Sequence, residues 1–519
     1  MHRPFLIETD AKVARGVAAL YLANVTTLVL NTLFFVLLTN YLSDQTKVGL
    51  FSFLNVVLVS AATLSVLALP LVSSGVVATP PAVTRFLSLN GSSTGNGSAR
   101  RVYALSLGLC GAISVSIVVL ASYSPLADLV AGPPQAGAVF FACVDALVFS
   151  FAQLGAYTLL GTDRATSAGK AIIVSSVLRY IFASGLLLAG MGVTGAFIGF
   201  AMGDSVLALT ANAKAFRLIR HTAGASSSMR PVLKYMVTVF FAALMGLAVS
   251  QTDKILAFQQ LDLARLAVYN IATVGAAVAS FVPSAATNVL VPALSNFANG
   301  GEKKLEMLKV YTRHISLSAV PIGFELAAVS PFLLRVFDDP YAAGAPIMSV
   351  IAISISFTAV ASVYSSSLLV EDKAHHFTLS NLLGLVGLVV VALLTVPQLG
   401  LFGIALGRAA MLFTVSGSVA YFAWRGGNLV LDVPAYLKSL SASAIMAVSV
   451  FAVLVTGQAA GLGRLALVGA AILMIPVGFA YYLLIMKLLK AYAEEDMDFI
   501  DSLLPGWLRG LSRLARKLL

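Results

Sequence analysis

Residues 192–199, GVTGAFIG, return as residues 400–407, GLFGIALG, 208 positions further along the chain. LLGTDRA at 159–165 returns as LLVEDKA at 368–374, an offset of 209. Pro81-Ala82 before Thr84 and Phe86 returns as Pro292-Ala293 before Ser295 and Phe297, an offset of 211. The three offsets agree within three residues, which chance similarity among glycine-rich segments does not explain. Hydropathy says what is duplicated. Uninterrupted apolar stretches of roughly 20 residues, enough to cross about 30 Å of hydrocarbon as a helix, recur along the chain. They run approximately over 17–40, 49–70, 102–122, 137–160, 171–190, 193–213, 232–251, 266–290, 312–334, 345–367, 378–396, 401–422, 436–456 and 465–486. Each copy of the repeat holds six of them. Six crossings bring the chain back to its starting side, so the two halves have parallel topology about an axis along the membrane normal.

The fold class expected is therefore an all-α polytopic membrane protein of about 14 transmembrane helices. It divides into an N-terminal six-helix bundle at 1–222, a linker at 223–231, a second bundle at 232–430, an additional helix pair at 431–490 and a cytoplasmic tail at 491–519. In the tail, Trp507, Leu508, Leu511, Leu514 and Leu518 alternate with Arg509, Arg513, Arg516 and Lys517, the pattern of an amphipathic helix lying on an anionic leaflet. Gly195, Gly199 and Gly203 repeat every four residues and strip side chains from one helix face, letting a neighbouring backbone approach. Gly403 and Gly407 repeat the device.

Composition agrees: 59% of the 519 residues are hydrophobic and 11% charged, which leaves nothing to cover a soluble domain. The first apolar stretch, Val17 to Leu38, is longer than a secretory signal core and reads as a true span. The net charge of +11 sits in short clusters between spans, which excludes a nucleic-acid-binding face. With the N-terminus inside, outside segments and spans together keep only Lys47, Arg179, Lys254, Arg265, Arg335, Arg408 and Arg464. The positive-inside rule then puts both termini in the cytoplasm of a multi-pass cell-membrane protein. Asn90 and Asn96 head glycosylation-type triplets, but this topology places them inside. Cys110 and Cys143 lie at different depths, so no disulfide is expected.

Five charges fall well inside spans: Asp145, Arg179, Asp204, Glu325 and Arg408. Each would cost roughly 2.5–3.5 kcal/mol facing lipid, so each is expected to face protein or a hydrated cavity. Arg179 and Arg408 would attract an anionic group such as a phosphate. Asp145, Asp204 and Glu325, with the more exposed Asp253 past the seventh span, form a charge network or couple transport to protons or sodium. The alternative is that Arg179 only neutralises Asp145 or Asp204 between packed helices. His375-His376 is not a metal site, because adjacent helical positions point about 100° apart and no further ligand lies at the required spacing. Gly169-Lys170-Ala171 lacks the spacing and hydroxyl of a phosphate-cradling loop, so ATP hydrolysis is not expected.

Four stretches give the chain a family resemblance. Asn40-Tyr41-Leu42 leads through Val48-Gly49-Leu50-Phe51 into the second span. Thr252-Asp253-Lys254-Ile255-Leu256 precedes Leu266-Ala267-Val268-Tyr269-Asn270. Pro292-Ala293-Leu294-Ser295 is followed by Phe337, Tyr341 and Ala345, and Leu399-Gly400-Leu401-Phe402-Gly403-Ile404-Ala405 opens the twelfth span. In this order they resemble the polysaccharide (Wzx-type) flippases of the multidrug/oligosaccharidyl-lipid/polysaccharide (MOP) exporter superfamily. The resemblance implies two bundles around a central cavity, alternating access, and a polyprenyl- or dolichyl-linked oligosaccharide as substrate. It also implies basic cavity residues, a part Arg179 and Arg408 would fill. Membrane lipids and glycan-assembly enzymes are the expected partners, with no cofactor. Two other readings stay open: a multidrug or organic-cation antiporter of the same superfamily, and a membrane glycosyltransferase, polymerase or ligase. The enzyme reading is opposed by the longest outside connection, 123–136, whose only charge is Asp128. Asp338-Asp339 before Pro340 reads as a turn.

Overall fold

A chain in hydrocarbon has no water to satisfy its backbone, so an apolar segment that does not close a barrel must form helix. The computed structural model describes residues 3–42, 44–65, 136–161, 164–220, 230–281, 301–371 and 373–491, with single positions inside 103–119 and 283–294. Among these, all regular structure is helical. The helices are α1 (Arg3–Leu42), α2 (Gln45–Ser65), α3 (Ala136–Gly161), α4 (Ala165–Leu186), α5 (Gly192–Arg220), α6 (Arg230–Gln260) and α7 (Leu263–Ala276). They continue with α8 (Glu302–Leu333), α9 (Ala345–Thr358), α10 (Ala361–Val370), α11 (Ala374–Leu399), α12 (Leu401–Arg425), α13 (Val433–Ala459) and α14 (Arg464–Leu488). Ten helical stretches among the described residues are long and apolar enough to cross a membrane, and one of them, Ala165–Leu218, folds back on itself and holds α4 and α5 together. Their outer faces are apolar: Leu209 is 74% exposed, Leu394 69% and Val448 70%. Several expectations fall wholly or largely outside the described residues. These are the third span, the 123–136 connection, the glycosylation-type triplets, the linker, the tail and the proline-headed repeat match.

The chain forms two compact units, Met1–Lys254 with Asp262–Ala267, and Ile255–Leu261 with Val268–Leu519. In the first, α4 packs on α1 and α5, and α3 on α2 and α5. Phe34, Phe35, Phe51, Tyr180, Phe197 and Phe200 make an aromatic core at its centre, with ring centroids 5.1–5.9 Å apart. In the second, α8 packs on α9, α13 and α14, and α11 on α12.

The duplication read from sequence has the same backbone geometry in both units. Gly192, between α4 and α5, has φ 57° and ψ −143°, and Gly400, between α11 and α12, has φ 54° and ψ −126°. An L side chain rarely tolerates either conformation, so the glycine that opens both copies is conformationally required. The second match agrees. Arg164 and Lys373 precede α4 and α11 with φ,ψ of −107°,37° and −92°,32°, and their amides donate to Leu159 O and Leu368 O, both at 2.9 Å. The glycine stripes act as expected. Gly195, Gly199 and Gly203 lie against the α4 end at Leu186, against Ala183 and against Arg179, and Gly403 and Gly407 lie against Thr395–Val396 and Leu388–Ala392 of α11.

Prolines inside α8 each free a carbonyl four residues back. Pro321 frees Leu317 O, which accepts from the Tyr482 hydroxyl of α14 at 2.9 Å. Pro331 frees Ala327 O, which accepts from Ser330 Oγ at 2.9 Å and Ser349 Oγ at 3.3 Å. Two departures from the sequence reading have local causes. The span expected at 345–367 breaks after Thr358, where Ser354 and Thr358 bond back to the preceding turn and the ladder tightens to three-residue bonds at Ser362 and Val363. The polar run from Gln251 to Lys254 ends the apolar signal but not the helix, which continues to Gln260. Asp253, expected to be exposed, is therefore buried, with 2% of its surface accessible.

Candidate functional site

Gly203 brings α5 onto the backbone of α4 at Arg179, and the next residue, Asp204, meets that arginine's side chain. Arg179 Nη1 donates to Asp204 Oδ2 at 2.9 Å. Ser175, one turn earlier on α4, donates to Gly203 O at 3.0 Å, with Asp204 Oδ1 at 3.5 Å. Asp145, fully buried on α3, reaches the same guanidinium with Oδ2 3.7 Å from Nη2, an ion pair too long for a hydrogen bond. The guanidinium lies over the Phe200 ring, 4.0 Å from its centroid, with Phe149 at 5.5 Å. Planar, delocalised and weakly hydrated, it suits this aromatic seat as an ammonium would not. Two carboxyl groups share one cation. Fully ionised, the group carries one surplus negative charge in a place where water hardly reaches, so it has room for one more positive partner.

The structure thus brings together three of the six residues singled out in the sequence. Asp253 is in the same unit, on α6, and its Oδ1 accepts from the Lys254 amide. Glu325 on α8 and Arg408 on α12 belong to the second unit. Arg408 is partly buried beside Gly407, and Glu325 is 5% exposed with neither oxygen hydrogen-bonded. Both cysteines are buried, and neither is in a disulfide. His376 stacks on Phe422 with ring centroids 4.2 Å apart.

Sequence reasoning missed the polar clusters at the helix ends. Glu371, in the turn between α10 and α11, accepts from Lys304 and from Asn428 Nδ2 (2.6 Å) on Oε1, and from Lys373 Nζ (2.8 Å) on Oε2. Burial works against the charge, but the bonds from Lys304 and Lys373 hold its carboxyl below the usual glutamate range. Asp432 caps α13 through the Ala435 amide and pairs with Arg313 at 2.7 Å; despite some burial these bonds lower it too. Arg313 also donates to Ala491 O, tying the end of α14 to α8. At the other end of the second unit Arg464 pairs with Asp338 at 2.8 Å. Separations of 57 to 178 residues leave most of these contacts no sequence signal; only the Lys373–Glu371 pair and the capping pattern at Asp432 are local.

Residues 93–338 match the model of a family described as polysaccharide biosynthesis protein. Among solved structures, the chain is similar to a lipid II flippase, MurJ, in an inward closed conformation. Their identity is 13%, with 90% of this chain and 98% of that chain covered and a TM-score of 0.67. An inward-facing multidrug resistance MATE transporter of the MOP superfamily is 18% identical over 78% of this chain and 95% of that one, at a TM-score of 0.58.

The chain shares its fold with these transporters.

A MATE structure in complex with MaD3S has it too, at 19% identity over 80% and 96% of the two chains and a TM-score of 0.54. No curated protein matches the sequence. That fold makes this a multi-pass membrane protein, in keeping with the ten long apolar stretches among the described residues. The fold that the motif resemblance implied is thereby borne out, and the all-helical fold class with it.

Proposed function

We propose that this protein moves a lipid-linked oligosaccharide or polysaccharide precursor between leaflets by alternating access and performs no chemistry on it. The supporting observation is the polysaccharide-biosynthesis family match, on a fold shared along 90% of the chain with a lipid II flippase. Carrying a charged headgroup through hydrocarbon is costly, and charges held inside spans offset that cost. Arg179 and Arg408 are the cations that meet the substrate's phosphate groups. In the arginine group the 3.7 Å contact to Asp145 is the looser of two and the one a phosphate would displace. Asp145, Asp204, Asp253 and Glu325 are the candidates for proton or sodium coupling. Both termini face the cytoplasm, where glycan-assembly enzymes deliver the substrate, and no cofactor is required.

The test is outer-leaflet appearance of lipid-linked oligosaccharide in vesicles with and without the protein. Two variants accompany it: Arg408→Ala, and Arg179→Gln with Asp204→Asn to keep the buried charge balance. Protein-dependent exposure that falls in both variants supports the reading. No dependence on the protein overturns it. A second reading, a multidrug or organic-cation antiporter, is favoured by the surplus of in-span carboxyl groups over arginines and by the likeness to MATE transporters. Efflux of cationic dyes from a pump-deficient cell selects it.

A further inference from the structure

Glu325 is the one charged residue between positions 315 and 334 of α8, mid-helix in the bilayer-crossing part of the second unit. It is 5% exposed, and neither carboxyl oxygen has a hydrogen-bond partner among the described residues. Facing it on α14 is Gly478. A Cβ there would overlap both carboxyl oxygens, so the glycine is what leaves room for the group. The contact is held from one side: Tyr482, one turn along α14, donates to Leu317 O of α8 and bonds Ser439 Oγ of α13. The three helices share an apolar cluster that includes Ala328 and Val329 of α8, Met446 of α13, and Ala471 and Tyr482 of α14.

Among the described residues no opposite charge pairs with the group. Among the described elements, those packed most on α8 are the turns at 277–280, 334–336 and 339–344 and helices α9, α10, α13 and α14. Residues 277–280, 345–370, 439–463 and 465–486 contain no charged side chain. The ionisable groups of these elements are Tyr341, Tyr364, engaged with Val430 O, Tyr436, Tyr481 and Tyr482, and the end-of-helix charges Arg335, Asp339, Lys438, Arg464 and Lys487. None forms an ion pair with Glu325. An isolated carboxylate without water, cation or hydrogen-bond donor is far too costly to keep ionised, and the group neutralises instead. Helix packing alone would be better served by leucine.

We propose that Glu325 is a proton-binding site of the second unit, neutral while α14 is docked on α8 and ionised only when α14 separates at Gly478 and admits water. The proposal rests on the transporter reading and names a coupling ion for it, the proton, together with the element that senses it, the C-terminal helix pair.

The experiment is infrared spectroscopy of the full chain in lipid nanodiscs, titrated between about pH 5 and pH 9, with hydrogen exchange of residues 472–484 followed over the same range. The expected result is a protonated-carboxyl C=O band at neutral pH that is absent in Glu325→Gln and displaced in Glu325→Asp. It fades at high pH as α14 exchange accelerates, and Glu325→Gln holds exchange slow throughout. A missing Glu325-specific band, or a band whose loss leaves α14 exchange unchanged, overturns the proposal. Neither readout involves substrate, so failure here is distinct from failure of the flipping assay.

Discussion

Arg179 sits between two acids, and the balance of that group decides what its substitutions do. Removing one partner from a buried ion pair leaves an uncompensated charge, so Arg179→Leu is expected to cost about 3–5 kcal/mol. Asp145→Asn should cost far less or stabilise, since it removes the surplus negative charge and leaves the 2.9 Å Arg179–Asp204 bond intact. Thermal unfolding in detergent compares the two, and equal losses would refute the surplus-charge account. Glu371 gives a pH test. Its folded-state acidity is stronger than that of the free side chain, so its stabilisation is complete above the ordinary value, about 4.3, and is lost as pH falls through the folded value. The midpoint of unfolding should therefore drop on acidification below about pH 4.5 in the wild type and less in Glu371→Gln. The need to bury Arg179, Asp145 and Asp204 was legible in the sequence, because charges in apolar runs have few alternatives. Their mutual pairing was legible only as one alternative, since Asp145 and Asp204 lie 59 positions apart with α4 between them and hydropathy does not say which helix faces meet. Glu371, lying between spans, carried no such flag.

At the scale of elements, most of what was legible was periodicity and repetition. The α4–α5 and α11–α12 hairpins were readable because glycine at every fourth position has few uses other than close helix approach, and because GVTGAFIG and GLFGIALG kept register. Helix ends were less readable: α6 runs past its polar stretch, and one expected span is broken into α9 and α10, because hydropathy registers transfer to lipid and not backbone bonding. The hairpin glycines supply a prediction. Gly192→Ala and Gly400→Ala place a Cβ in a backbone region costing of order 1–3 kcal/mol each, and the two losses should be similar since φ and ψ nearly coincide. Gly185→Ala and Gly417→Ala, in helices with open space at the Cβ position, serve as controls and should be neutral or stabilising by up to about 1 kcal/mol. Chemical denaturation of the four purified variants decides it. Equal losses at all four positions would mean that loss of small-residue packing, not conformation, matters.

At the scale of the whole molecule, the sequence carries its orientation in the distribution of Lys and Arg, and the second unit gives that distribution a structural form. One end of its helices holds Lys304, Lys309, Arg313, Lys373, Arg425, Lys438, Lys487 and Lys490, whereas the other holds Arg335 and Arg464. Three of the basic groups at the rich end are engaged with carboxylates, Lys304 and Lys373 with Glu371 and Arg313 with Asp432, and those at the poor end include the Arg464–Asp338 pair. Local neutralisation therefore accompanies both ends, and the positive-inside rule, which counts Lys and Arg and gives little weight to acids, predicts the end rich in them to be cytoplasmic. Helix α13 offers a direct check, since one continuous helix of 27 residues connects the two ends and spans about 40 Å. Cysteine placed at the exposed Leu429, just before it, should react with a membrane-impermeant maleimide only after the cell is opened. Cysteine at the exposed Ala460, just after it, should react in intact cells, with Cys110 and Cys143 replaced by alanine in both cases. The reverse pattern would invert the protein and move the Glu371 cluster to the outer surface; labelling of both sites in intact cells would mean that α13 does not cross.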